Sequence, residues 1–235
     1  MNLKSSEWEE SVNISDNILK HYLSNCYFIN GTAYAGKSTM CKMLAERFDM
    51  IHCEENYNMD TILSVVTPEL QPDLNYFNEG HCMYDFVSRS PEEYERWCHS
   101  VSAEVTEFEI AELIRLSAFG KKIIVDTCIP CDVLHRISDY NHVAVMLSPP
   151  SMSVEKFFDR SDAEKQAMFR AIENGPEPAK TLENFRQGIA RMNSQEVYDA
   201  FAGSGFFTLV RQDDGCDTRE ETLQTLAEHF ELNQE

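Results

Sequence analysis

The stretch FINGTAYAGKSTM, residues 28–40, limits what this chain can fold into more than any other. Gly31, Gly36, Lys37 and Ser38 stand in the spacing G-x-x-x-x-G-K-S. Before the stretch, Cys26-Tyr27-Phe28-Ile29 is a short run of apolar strand formers. After it, Met40, Met43, Leu44 and Phe48 recur at helical spacing. The pattern is therefore strand, glycine-bearing loop, helix. In that context main-chain N–H groups can turn inward on an anion, because glycines keep side chains out of the turn and the helix adds its positive end. Gly31, Thr32, Ala33, Tyr34, Ala35, Gly36, Lys37, Ser38 and Thr39 are the expected phosphate-side contacts. Lys37 can reach the β- and γ-phosphates, and the Ser38 hydroxyl can bind Mg²⁺.

The rest of the chain repeats the alternation. Residues 50–53, KKIIVD (121–126), HVAVML (142–147) and FFTLV (206–210) read as further strands, separated by helical segments. Short, nearly continuous apolar runs of this kind indicate a parallel sheet covered on both faces, an α/β fold. Ser90-Pro91-Glu92-Glu93 opens a long helix ending near Gly120, with serine as cap, proline at the first position and Glu93 closing a capping box. Ser161 with Glu164 suggests a further capping box, Thr181 opens another helix, and Thr218 to Glu221 suggests a last capping box before a final helix. At the end of the third apolar run stands Asp126, placed to aim its carboxylate at the loop's metal or the waters around it.

The guanine-reading Asn-Lys-x-Asp motif and the Leu-Ser-Gly-Gly-Gln signature of transporter ATPases are both absent. With GTAYAGKS, IIVD and an arginine-bearing segment late in the chain, the sequence resembles the phosphate-loop small-molecule kinases, the group of adenylate, nucleoside, shikimate and gluconate kinases. The resemblance runs from Cys26 to about Phe230 as a pattern of elements. It implies a three-layer α/β/α domain of the P-loop NTPase type with a five-stranded parallel sheet. It further implies ATP and Mg²⁺ as cofactors, an acceptor-binding insertion after the second strand and a lid between the fourth and fifth. On this reading residues 1–235 form one domain, with 56–119 as the insertion and 157–192 as the lid. Arg160 and Arg170 are the foremost lid candidates for compensating charge on the transferring phosphoryl group, with Arg186 and Arg191 behind them.

On the acceptor side, Glu54, Glu55 and Asp60 lie where such kinases carry a carboxylate that orients a hydroxyl and takes its proton. Successive strand residues face opposite ways, so one of the two glutamates can point at the loop; Glu54 is the expected one. Tyr84 and Arg89, amid the aromatics of residues 56–97, are expected to touch the acceptor, Arg89 by holding a carboxylate or phosphate. Cys128-Ile129-Pro130-Cys131, with His135 nearby, has redox or metal spacing but reads as packing, since one pair makes no structural zinc site.

A formal net charge of −20 opposes nucleic acid and anionic membrane as partners. There is no apolar run of membrane-spanning length, and the amino terminus lacks a signal peptide's apolar centre. With eight scattered cysteines, this favours a reducing, cytoplasmic setting. The expected function is transfer of a γ-phosphoryl group to a hydroxyl or phosphate of a small-molecule acceptor, with a homodimer left open. The competing reading is an ATP-binding regulatory NTPase that switches a partner.

Overall fold

All five apolar runs are strands. In the computed structural model, which describes residues 14–157, 163–212 and 215–232, they are β1 (Cys26–Gly31), β2 (Ile51–Cys53), β3 (Ile123–Asp126), β4 (Val143–Leu147) and β5 (Phe207–Val210). They form one parallel sheet in the order β2-β3-β1-β4-β5. β1 is central, with Ile29 opposite Asp126 of β3 on one side and Gly31 opposite Met146 of β4 on the other. This register brings the carboxyl ends of β1, β3 and β4 together. In open parallel sheets a crevice forms there, where the chain order reverses.

The helices in chain order are α1 (Asp16–Tyr22), α2 (Lys37–Phe48), α3 (Met59–Leu63), α4 (Met83–Val87), α5 (Pro91–Ser117), α6 (Cys131–Ile137), α7 (Pro150–Glu155), α8 (Ala163–Glu173), α9 (Pro178–Met192), α10 (Gln195–Ala202) and α11 (Arg219–His229). Alternation along β1 explains how they layer. Tyr27 and Ile29 pack with Met40, Cys41 and Leu44 of α2 and Leu223 and Leu226 of α11. Cys26 and Phe28 point the other way, onto Leu19 of α1, Leu113 of α5 and Leu134 and Ile137 of α6. Helices thus cover both faces of the sheet, as in a three-layer α/β/α arrangement.

A third cluster stands apart from the sheet. Val87 of α4, Met168 and Ile172 of α8, and Phe185 and Ile189 of α9 are buried together, with Tyr94 of α5 against them. Two glycines permit the close approach. A Cβ on Gly188 would lie 2.8 Å from the Tyr94 ring, and one on Gly175 would lie 2.1 Å from the ring of Tyr84. The segment expected to be a lid is therefore packed, in its described part, on the segment expected to bind the acceptor.

Three boundary expectations are tested by cap geometry. The Ser90–Glu93 box forms: Glu93 N donates to Ser90 Oγ at 3.3 Å, and Ser90 N donates to Glu93 Oε2 at 2.9 Å. α9 starts at Pro178 rather than Thr181, because proline's fixed φ suits the first turn. Thr181 is instead buried inside the helix, its hydroxyl 3.3 Å from the Tyr84 hydroxyl. The Thr218–Glu221 box does not form; Arg219 N donates to Asp217 Oδ1 at 3.2 Å, so aspartate satisfies that helix end. Ser161, the cap expected to pair with Glu164, lies outside the described residues. Among the described residues, no helix is long and apolar enough to cross a membrane.

Candidate functional site

The loop between β1 and α2 is fixed by backbone geometry at its two glycines. Gly31 has φ +127°, and a Cβ there would lie 1.9 Å from Met146 O of the neighbouring strand. Gly36 has φ +94° and caps α2 in the left-handed region. Side chains tie down the first half of the loop. Ser148 N donates to Thr32 Oγ1 at 2.8 Å, and Ser148 Oγ donates to Ala33 O at 2.7 Å. Ala33 N donates to Asn193 Oδ1 at 3.3 Å, and Arg211 Nη1 donates to Tyr34 O at 2.8 Å. Asn30 closes the entry: its Nδ2 donates to Ile129 O at 2.6 Å and its Oδ1 accepts from Gly31 N at 2.6 Å.

The second half of the loop is different. Among the described residues no group accepts from the main-chain N–H of Ala35, Gly36, Lys37, Ser38 or Thr39; the first helical bond of α2 runs from Met40 N to Gly36 O at 3.1 Å. Ala35 is 2% exposed, and buried donors are nearly always met. These successive N–H groups, with the positive end of α2 behind them, form a concave donor set suited to an anion. Lys37 bends over it, its Nζ donating to Thr32 O at 3.2 Å.

Asp126 lies beside the loop as its strand position requires. Ser38 Oγ donates to Asp126 Oδ2 at 2.5 Å. Burial raises the Asp126 pKa above the ordinary carboxylate value, while Lys37 and the Ser38 hydrogen bond oppose that rise. A hydroxyl and a carboxylate are the hard oxygen donors Mg²⁺ takes, and Mg²⁺ sites commonly use few protein ligands and complete their shell with phosphate oxygens and water. Among the described residues, no three acidic, histidine or cysteine side chains are grouped so as to hold a metal by themselves.

Next to Asp126 lies a small, partly open cleft, lined in part by Glu55, Tyr57, Ile62, Val105 and Glu109. Glu55, not Glu54, is the glutamate that reaches it. Glu54 is 77% exposed at its side chain, with Oε1 3.8 Å from His52 Nδ1. The expected face of the β2 end is thus corrected by one residue: β2 stops at Cys53, so strand alternation does not carry past it. Asp60 is exposed in the first turn of α3.

Tyr84 and Arg89 are not in the cleft lining. Tyr84 packs beneath the α8–α9 turn at Gly175. The Arg89 guanidinium carbon sits 4.4, 4.7 and 5.0 Å from the ring centroids of Tyr76, Trp97 and Phe86, and its Nη1 donates to Phe86 O at 3.0 Å. It is a cation held by aromatic faces. Arg191 pairs with Glu92 and, at 3.0 Å, with Glu95, tying α9 to α5. Arg170 and Arg186 are exposed, and Arg160 lies outside the described residues.

Sequence reasoning missed Glu109, Asn193, Ser148 and Arg211. Each is brought in by packing of distant elements, so no local spacing announces it. Glu109 is 7% exposed on α5, and burial is the main reason its pKa rises from 4.5 to about 7, with Asp126 adding to the rise and a Thr127 hydrogen bond opposing it. All eight cysteines are free thiols. Of the pair expected to pack, Cys131 lies at the margin of the sheet core, whereas Cys128 is exposed and lines the cleft. His135 stacks on Phe206, with ring centroids 4.0 Å apart.

The chain matches no protein-family model, no curated protein and no solved structure.

Proposed function

We propose that the chain is a phosphate-loop phosphotransferase that takes the γ-phosphoryl group of Mg-ATP to a hydroxyl of a small molecule held in the cleft beside Asp126. The observation that carries this reading is the run of unmet N–H donors from Ala35 to Thr39, with the Lys37 ammonium beside it and the Ser38–Asp126 oxygen pair at its edge. Five donors, a cation and two hard oxygens in succession suit a triphosphate and its metal better than a lone anion. The parallel sheet, its strand order and the glycine-bound loop support the P-loop NTPase type that the sequence resembles. The free thiols favour a reducing compartment.

In this scheme the loop amides and Lys37 hold the donor phosphates in place, which is most of what phosphoryl transfer asks of a protein. Ser38 and Asp126 would hold Mg²⁺, which when bound neutralises charge developing on the phosphate oxygens. Glu55 orients the acceptor hydroxyl and takes its proton as the new oxygen–phosphorus bond forms and the bond to the β-phosphate oxygen breaks, releasing ADP. The cleft beside Asp126 is the specific reason to favour a kinase over a switch, which needs no acceptor pocket.

The test is ADP release with and without a panel of hydroxyl compounds, with products read by mass spectrometry. The expected result is acceptor-stimulated turnover with a phosphorylated product, reduced about 1,000-fold in Lys37→Ala while the circular dichroism spectrum is unchanged. ADP release indifferent to every acceptor, or unchanged in Lys37→Ala, contradicts the assignment.

A further inference from the structure

The phosphate loop divides at one peptide unit. Before it, main-chain groups are bonded to side chains: Thr32 O accepts from Lys37 Nζ, Ala33 N donates to Asn193 Oδ1, and Ala33 O accepts from Ser148 Oγ. From Ala35 onward the N–H groups have no acceptor among the described residues. The unit that joins the two halves is Tyr34 C=O with Ala35 N–H. Its carbonyl accepts from Arg211 Nη1 at 2.8 Å.

A trans peptide is planar, and its C=O and N–H point in opposite directions. Holding Tyr34 O therefore turns Ala35 N–H away from Arg211. Tyr34 itself opposes this arrangement. Its φ is +68°, in the left-handed region that an aromatic residue seldom takes. Such residues persist when their surroundings over-determine them. Here the preceding plane is fixed by Ser148 on Ala33 O, so a change in Tyr34 φ would swing the Tyr34–Ala35 plane and break the Arg211 bond. Arg211 has a firm base for this grip. It follows β5 directly, and its N donates to Leu147 O of β4 at 2.8 Å. Its side chain is exposed and belongs to none of the three buried clusters.

We infer that Arg211 is a positioning residue of the donor site: by gripping Tyr34 O it keeps Ala35 N–H turned toward the phosphates that the loop holds. It acts through the peptide plane and not by contact with the nucleotide. The inference rests on the phosphotransferase reading for the identity of the anion. What it adds is the reason the loop is set before the ligand arrives. A donor already aimed costs no reorganisation on binding, whereas a freely turning peptide would have to be ordered by the phosphate itself.

The sequence offers a direct test, because Tyr34-Ala35 is its single Tyr-Ala pair. Carbon-13 at the tyrosine carbonyl and nitrogen-15 in alanine isolate this one peptide unit by NMR in the full chain. Magnesium tripolyphosphate and Mg-ATP are titrated into the wild type, Arg211→Met and Arg211→Lys, with affinity measured by calorimetry and folding by thermal unfolding. Without ligand, Arg211→Met should shift the Tyr34 carbonyl resonance, and Arg211→Lys, whose ammonium can still donate, should return most of it. With either compound bound, the Ala35 N–H should move downfield in the wild type, a response read without any variant, and far less in Arg211→Met. Affinity for both compounds should fall about tenfold in Arg211→Met and about twofold in Arg211→Lys. An unmoved carbonyl in Arg211→Met, or an Ala35 amide silent to bound ligand, overturns the inference. So does a loss confined to ATP, which would put Arg211 on the nucleoside. Affinity regained in Arg211→Lys without the carbonyl resonance also overturns it, since charge alone would then be the effect. Each of these outcomes leaves the phosphotransferase reading standing. No binding of either compound to the wild type up to about 10 mM removes that reading and this inference together.

Discussion

At the phosphate loop nearly every constraint is carried by the main chain. Gly31 is forced by Met146 O, Gly36 by a left-handed φ, and the Ala35–Thr39 donors by the start of α2. Around α4, α8 and α9, constraint is carried by side chains: Phe185 is 1% exposed, with its ring 5.2 Å from Tyr94, 5.7 Å from Phe157 and 6.2 Å from Phe86. The two regions should therefore fail differently. Backbone geometry tolerates almost no substitution at its fixed points, whereas a packed side-chain cluster loses stability in proportion to the volume removed.

Gly31→Ala gives the largest expected effect. The added methyl meets backbone atoms that cannot swing aside, and φ +127° is itself costly for alanine. Urea unfolding should show a loss above about 4 kcal/mol or a failure to fold. A loss below about 1 kcal/mol would show that the loop is held by something other than this close approach.

Phe185→Ala tests the opposite region. It should cost about 3 kcal/mol, as large aromatic truncations in a packed cluster do. ATP affinity should change far less than stability, because the cluster's buried members lie outside the two sheet cores and α9 meets the loop at Asn193, whose side chain accepts from Ala33 N. A comparable loss of ATP affinity in the folded variant would break the separation between the regions.

Glu109, beside Asp126 at the cleft, gives a pH signature. Its folded-state pKa is raised from 4.5 to about 7. Between these values the folded state holds a proton that the unfolded state has released, so stability from this group is greatest below about pH 4.5 and falls as pH rises towards 7. Glu109→Gln removes that slope. In metal-free buffer the variant should be more stable than the parent at pH 8 by up to about 3 kcal/mol, and the difference should shrink towards pH 4. Parallel stability curves would show that Glu109 is not desolvated.

The smallest effect is expected at Arg191→Ala. An exposed ion pair to Glu92 and Glu95 is worth about 1 kcal/mol or less, and phosphoryl transfer should be unaffected. A large loss of transfer with unchanged stability would return Arg191 to the phosphates.

The same contrast explains what could be read from sequence. The strands, the loop and Asp126 follow from local patterns: apolar runs, glycine spacing and strand position. The sheet order does not, because it depends on which distant strands pair. Strand alternation says that one of Glu54 and Glu55 faces the loop but not which, and it ends with β2 at Cys53. Tyr84 and Arg89 were legible as an aromatic and a cation but not as partners of Thr181 and of three rings, since those contacts join separate helices. Glu109 was hidden because, in a long helix rich in acids, only burial distinguishes it from its exposed neighbours.

The central claim is that main-chain donors between residues 35 and 39 hold a triphosphate. Equilibrium dialysis of labelled ATP with Mg²⁺ against the wild-type chain and Lys37→Ala measures this most directly. The account predicts a Kd of about 100 μM or tighter for the wild type and a weakening of about 100-fold in the variant. Absence of binding at several millimolar, or equal affinity in both proteins, would contradict it.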